Sequence, residues 1–187
     1  MNNHITTATG EQFYFDKPTF DIKDIAWALR NICRYNGHCT SRWSVLQHSV
    51  ACALVVPPEY QREALLHDAT EAYLCDIPTP LKDILPDYKA LESSIDKALR
   101  KQFELPETMS AVVRFVDHNM LIAETYCVHR PLWREMGSIT PSSYAALAFR
   151  TVRMMTDTTL VQTFFAMSSK NVLRRRGVIG ICMDDAQ

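Results

Sequence analysis

The sequence has no C-x-x-C pair, no internal repeat and no low-complexity segment. No apolar run approaches the roughly 18 residues that a membrane-spanning helix needs. The opening stretch MNNHITTATG lacks the basic-then-apolar pattern of a signal peptide. A net charge of −1 supplies no global attraction to nucleic acid or to an anionic membrane. Cys33, Cys39, Cys52, Cys75, Cys127 and Cys182 are scattered through apolar stretches, which predicts reduced core thiols in a cytoplasmic protein. What is present is an ordinary soluble composition, 47% apolar and 22% charged over 187 residues, enough for one domain with a real core.

The hydrophobic pattern predicts an all-α fold: a single-domain helical bundle with its core over about residues 20–168, an N-terminal arm over 1–20 and a C-terminal tail over 169–187. In the arm, Phe13-Tyr14-Phe15 alternates between Gly10 and Pro18 and suggests a short hairpin. From Asp21, a plausible N-cap, Ile22, Ile25, Ala26, Leu29 and Ile32 recur at helical spacing, and Asn36-Gly37 marks the expected stop. Ser44 opens a second helix, apolar through Val56, which Pro57-Pro58 breaks. A third is expected over Glu59–Tyr73, ending before the prolines at 78 and 80. Further helices are predicted over about 87–103, 107–130 and 141–168.

Several polar residues are planted in these apolar faces. His48 lies within the second helix, where an unpartnered imidazole would cost a few kcal/mol. His67 and Asp68 follow Leu65-Leu66, and Glu71, four residues after His67, shares their face. Asp117 follows Val112-Val113-Arg114-Phe115-Val116. A lone His-Asp pair is more often a satisfied core histidine beside a surface acid. Two histidines and two carboxylates on three helices instead suit a borderline divalent cation, of the kind that helical bundles hold in their interiors.

The segments Ser44-Val45-Leu46-Gln47-His48-Ser49, Leu66-His67-Asp68-Ala69-Thr70-Glu71-Ala72 and Asp76-Ile77-Pro78-Thr79-Pro80-Leu81-Lys82, followed by Asp117, resemble the HD-domain phosphohydrolase superfamily over about residues 20–130. Within it the chain is similar to small 5′-deoxynucleotidases and to compact deoxynucleoside triphosphohydrolases, including phage dATP triphosphohydrolases. The resemblance implies that His48, His67, Asp68 and Asp117 ligate one divalent metal ion (Co, Mn, Zn or Mg), and that Glu71 and Asp76 are the working carboxylates. Members with two metals carry extra histidines between the HD pair and the last aspartate; this chain has none between Asp68 and Asp117, so one ion is expected.

The resemblance also implies substrate contacts. Arg34-Tyr35 stands where the small deoxynucleotidases carry an Arg-aromatic pair, the guanidinium on phosphate and the ring excluding a ribose 2′-hydroxyl. By position alone the two read equally well as a helix-terminal arginine and a packing tyrosine. Lys82, on a loop stiffened by Pro78 and Pro80, and Arg114, three residues before Asp117, are further candidate cations, each equally explicable as a solvated or paired side chain. Phe20, Ile22 and Pro80 are candidates for a base slot, while His38, Glu124 and Arg174–Arg176 are taken as structural or surface residues. The expected activity is cleavage of the α-phosphorus–O5′ bond of a small-molecule deoxynucleotide, with a dATP-like triphosphate as first choice. The alternatives are a 5′-deoxynucleotidase acting on monophosphates and a non-catalytic metal- or nucleotide-binding module. Partners in nucleic acid or membrane are not expected; a homo-oligomer is.

Overall fold

The computed structural model describes residues 3–128 and 141–169. The end of the helix expected to reach residue 130 and the basic run Arg174–Arg176 lie outside the described residues. What is described is an all-α domain with one small hairpin. β1 (His4–Thr6) pairs antiparallel with β2 (Gln12–Tyr14), His4 opposite Tyr14. The alternation around Tyr14 is read out as expected: Phe13 is buried and its ring stacks on Tyr73 at 4.0 Å, while Tyr14 is exposed.

Helix α1 (Ile22–Asn31) is capped by Asp21, whose carboxylate accepts from the Lys23 amide. It ends earlier than the Asn36-Gly37 stop suggested. Ile32 takes an extended conformation, and a separate 3₁₀ turn, Arg34–Gly37, follows with Tyr35, Asn36 and Gly37 all at positive φ. Helix α2 (Val45–Val55) has a full capping box between Ser44 and Gln47. Eight of its eleven residues are buried, the signature of a central helix. Around it pack α1, α3 (Gln61–Leu66), α7 (Ala111–Val128), α8 (Ser143–Arg153) and α9 (Asp157–Ser168). His48 and Ser49 are therefore deep in the protein.

Two expected helices are broken, and one expected loop is helical. The helix over Glu59–Tyr73 divides into a 3₁₀ turn at Pro58–Tyr60, then α3, then α4 (Glu71–Leu74). Between α3 and α4 the backbone bonds tighten to i→i−3, from Ala69 to Leu66, Glu71 to Asp68 and Tyr73 to Thr70. There the His67 side chain takes the Ala64 carbonyl through Nδ1 at 2.7 Å, competing with the regular helical ladder. The helix over 141–168 breaks at Thr156, whose hydroxyl caps α9 by accepting from the Thr159 amide. Lys82 sits on a short helix, α5 (Thr79–Asp83), rather than a loop, because a proline fits the first turn of a helix. Helix α6 (Pro86–Gln102) matches expectation. No helix among the described residues is long and apolar enough to cross a membrane.

Candidate metal centre

Three elements deliver four side chains to one point beside α2. His48 comes from its buried face, His67 and Asp68 from the tightened turn after α3, and Asp117 from α7. His48 Nε2 lies 3.2 Å from His67 Nε2, 3.1 Å from Asp117 Oδ1 and 3.5 Å from Asp68 Oδ2. His67 Nε2 lies 3.2 Å from Asp68 Oδ2 and 3.7 Å from Asp117 Oδ1. A tetrahedron of N and O donors with bonds of ~2.0–2.2 Å has edges of about 3.3–3.6 Å, and the five spacings around His48 and His67 lie close to that range.

The donor chemistry fits a cation. Nδ1 of His67 faces the Ala64 carbonyl, which only accepts, so that nitrogen carries the proton. Nδ1 of His48 faces Oε1 of Glu124 at 2.6 Å and donates to it in the same way. Both Nε2 atoms thereby face each other and two carboxylates, where a proton or a metal ion can be held. Burial opposes charge on either imidazole, and Arg34 opposes it on His48; Cys52, Glu124 and Asp117 at His48, and Asp68 and Asp117 at His67, outweigh this and raise both histidines well above their ordinary value. Against their own burial, Asp68 is held low chiefly by His67, and Asp117 by hydrogen bonds to both imidazoles. The cluster draws positive charge to its centre.

Two members were missed in the sequence. Cys52, taken there as a core thiol, places its sulfur 3.7 Å from His48 Nε2, and it forms with His48, His67 and Asp117 a buried group able to hold a metal ion. Glu124, taken as structural or surface, is fully buried; besides His48 it accepts from Arg34 Nε at 2.9 Å and from the Tyr35 hydroxyl at 3.1 Å. The signal available was helical spacing: Cys52 stands one turn beyond His48, and Glu124 two turns beyond Asp117.

Around the cluster lie the other candidates. Glu71 is buried, and its Oε2 has no hydrogen-bond partner. Burial first, then the charges of Asp68 and Asp76, push its carboxyl well above the usual range. Asp76 is half-buried and raised by burial, partly offset by Arg34. Arg34 bridges Glu124 and Asp68, the second contact at 3.5 Å; these carboxylates outweigh its burial and keep it charged. Lys82 lies close enough to act on Glu71 and Asp76, although its ammonium pairs with Glu92.

The remaining candidates are not brought in. Arg114 is exposed and its guanidinium donates to the Met109 carbonyl. Three residues along a helix is about 300°, so Arg114 stands some 60° away from Asp117 and nearer the outward face marked by the exposed Phe115. Phe20 belongs to an aromatic cluster with Phe13 and Tyr73, Ile22 packs against the core, and Pro80 is exposed.

What the fold and site define is a helical protein with a buried His–His–Cys–Asp group able to hold a metal ion. Over 140 residues, 73% of this chain and 76% of the relative, it is 48% identical to the "Uncharacterized protein YfdR" of Escherichia coli K12. A second relative, the "Uncharacterized protein RCAP_rcc00048" of Rhodobacter capsulatus, is 31% identical over 104 residues, half of this chain and 53% of that one. No family model matches the chain. The chain belongs to the same family as YfdR.

Proposed function

We propose that the protein is a phosphohydrolase of the HD-domain type that cleaves the α-phosphorus–O5′ bond of a deoxynucleotide, with a deoxynucleoside triphosphate such as dATP as first substrate. The observation that carries this reading is a buried carboxylate with a free oxygen, Glu71 Oε2, beside a four-donor cluster and a charged arginine. His48, His67, Asp68 and Asp117 would hold a divalent ion, which supplies Lewis acidity toward a phosphoryl oxygen. Glu71, with its raised affinity for a proton, is suited to accept one from the attacking water. Asp76, also raised, is suited to hand a proton to the departing 5′-oxygen. Arg34 offsets phosphate charge in a site with little competing water. The Tyr35 ring, tied to Glu124 through its hydroxyl, presents no acceptor dedicated to a ribose 2′-hydroxyl.

Lys82 supports the triphosphate. Its pair with Glu92 is partly exposed, and such pairs contribute little, so exchange of Glu92 for a phosphate oxygen costs little. The exposure of Arg114 favours a second reading, a 5′-deoxynucleotidase, since one fewer cation faces the site. Chromatography of products from each dNTP and dNMP with Mn²⁺, Co²⁺, Mg²⁺ or Zn²⁺ separates the readings. Deoxynucleoside plus tripolyphosphate supports the first, inorganic phosphate from dNMP supports the second, and no turnover of either refutes both.

A further inference from the structure

The turn that carries Arg34 and Tyr35 is bracketed by two cysteines. Cys33 and Cys39 place their sulfurs 3.6 Å apart, and both side chains are half-buried, within reach of a small molecule. The flanks are anchored. Cys33 forms a bridge with Ser44, the Arg34 amide donates to the Trp43 carbonyl at 3.0 Å, and the Thr40 amide donates to the Val128 carbonyl at 2.7 Å. Between those anchors the backbone is held by short local bonds, from His38 to Tyr35 and from Cys39 to Gly37. Three successive residues there, Tyr35, Asn36 and Gly37, lie at positive φ, a conformation that costs the two non-glycine residues some strain. Fixed flanks around a strained turn hold the two sulfurs together. A disulfide at ~2.05 Å needs them to approach by only about 1.5 Å.

We propose that Cys33 and Cys39 are a redox-active pair that forms a reversible disulfide and staples the turn presenting Arg34 and Tyr35. The oxidant is a low-molecular-weight disulfide. One cysteine thiolate attacks it and expels one small thiol, leaving a mixed disulfide on the protein. The second cysteine then attacks the protein-bound sulfur and expels the second small thiol. Two protein thiols lose two hydrogens, one S–S bond forms, and one small disulfide is reduced to two thiols. Burial and the adjacent Cys33 sulfur hold the Cys39 thiol above its ordinary value, so the exchange speeds up in mildly alkaline buffer. None of the four proposed metal donors lies on this turn, so the staple forms without displacing them.

Equilibration of the full chain in glutathione redox buffers, followed by alkylation, trypsin and mass spectrometry, tests this. Trypsin cuts after Arg30, Arg34 and Arg42, so the staple joins the fragment 31–34 to the fragment 35–42. That linked pair is expected in oxidising buffer and is expected to vanish with dithiothreitol. In Cys33→Ser, Cys39 should instead retain glutathione, because the resolving thiol is gone. Amide hydrogen exchange over residues 34–40 should slow in the oxidised form. Free, separately alkylated Cys33 and Cys39 in the most oxidising buffer would overturn the pair. Unchanged exchange with the disulfide formed would overturn the stapling.

Discussion

Nδ1 of His48 lies 2.6 Å from Oε1 of Glu124, and neither side chain has exposed surface. The other oxygen of the same carboxylate receives Arg34 Nε and the Tyr35 hydroxyl. Glu124 thus fixes the tautomer of a proposed metal ligand with one atom and holds the arginine proposed to meet phosphate with the other. Removing the charge while keeping the shape should loosen both. Glu124→Gln is expected to fold and to lose about 10- to 100-fold in metal affinity, the usual effect of disturbing a carboxylate behind a ligating histidine. Competition titration against a chromophoric chelator measures it. Affinity equal to wild type would reduce Glu124 to a packing residue.

Glu71 should cost stability. Its folded-state pKa is raised well above the ordinary value by burial and by Asp68 and Asp76, so the folded protein binds its proton more tightly than the unfolded chain does. Stability from this group is therefore complete below the unfolded pKa and is lost as pH rises through the folded value. Glu71→Gln is expected to raise the melting temperature of metal-free protein at pH 8, and to leave it almost unchanged near pH 4. Activity should fall by ~10²–10⁴-fold in the same variant, the usual contribution of a general acid or base. Melting curves at the two pH values decide the first half, and steady-state rates the second.

A second buried ionic group is purely architectural. Arg100 and Glu63 are almost fully buried; the guanidinium reaches Glu63 at 3.8 Å, Asp96 at 2.8 Å and the Pro106 carbonyl at 3.1 Å. Glu63 also accepts from the Ser110 amide at 2.7 Å, just ahead of α7. Arg100→Met leaves a buried carboxylate without its counter-charge, and should cost roughly 3–5 kcal/mol in urea unfolding. A loss under about 1 kcal/mol would mean that water reaches Glu63.

Cys75, immediately before Asp76, adopts φ 68° and ψ 160°, a region nearly reserved for glycine. Relief of that strain is worth about 1–3 kcal/mol, against about 0.5–1 kcal/mol of added chain entropy for glycine. Cys75→Gly should therefore raise stability, by up to about 2.5 kcal/mol. Urea midpoints compare the two proteins, and a destabilised variant would show that the backbone is not strained there.

The bundle was legible because α2 is apolar nearly all round and Ser44 with Gln47 announces its start. Three of the four proposed donors were legible for the same reason: His48, His67 and Asp117 interrupt faces that are otherwise apolar, and Asp68 follows directly. Glu124 was not, since it stands among Ala123, Thr125 and Tyr126, where a glutamate on an ordinary amphipathic helix faces water. Its partners come from residues 34, 35 and 48, and no local pattern encodes such distant pairing. The break between α3 and α4 escaped for a similar reason. No proline or glycine marks a break across His67–Thr70; there the backbone bonds run i→i−3 and His67 takes the Ala64 carbonyl through its side chain. Arg114 is exposed, since its position turns it about 60° from Asp117 and towards the side of Phe115.

His48, His67, Asp68 and Asp117 are proposed to hold one divalent ion. Elemental analysis of desalted protein after loading tests this most directly, run beside His67→Ala and Asp117→Ala variants checked for helicity by circular dichroism. One ion per chain in the wild type, and little in either folded variant, is the predicted result. No bound ion in the wild type, or the same content in all three proteins, would contradict it.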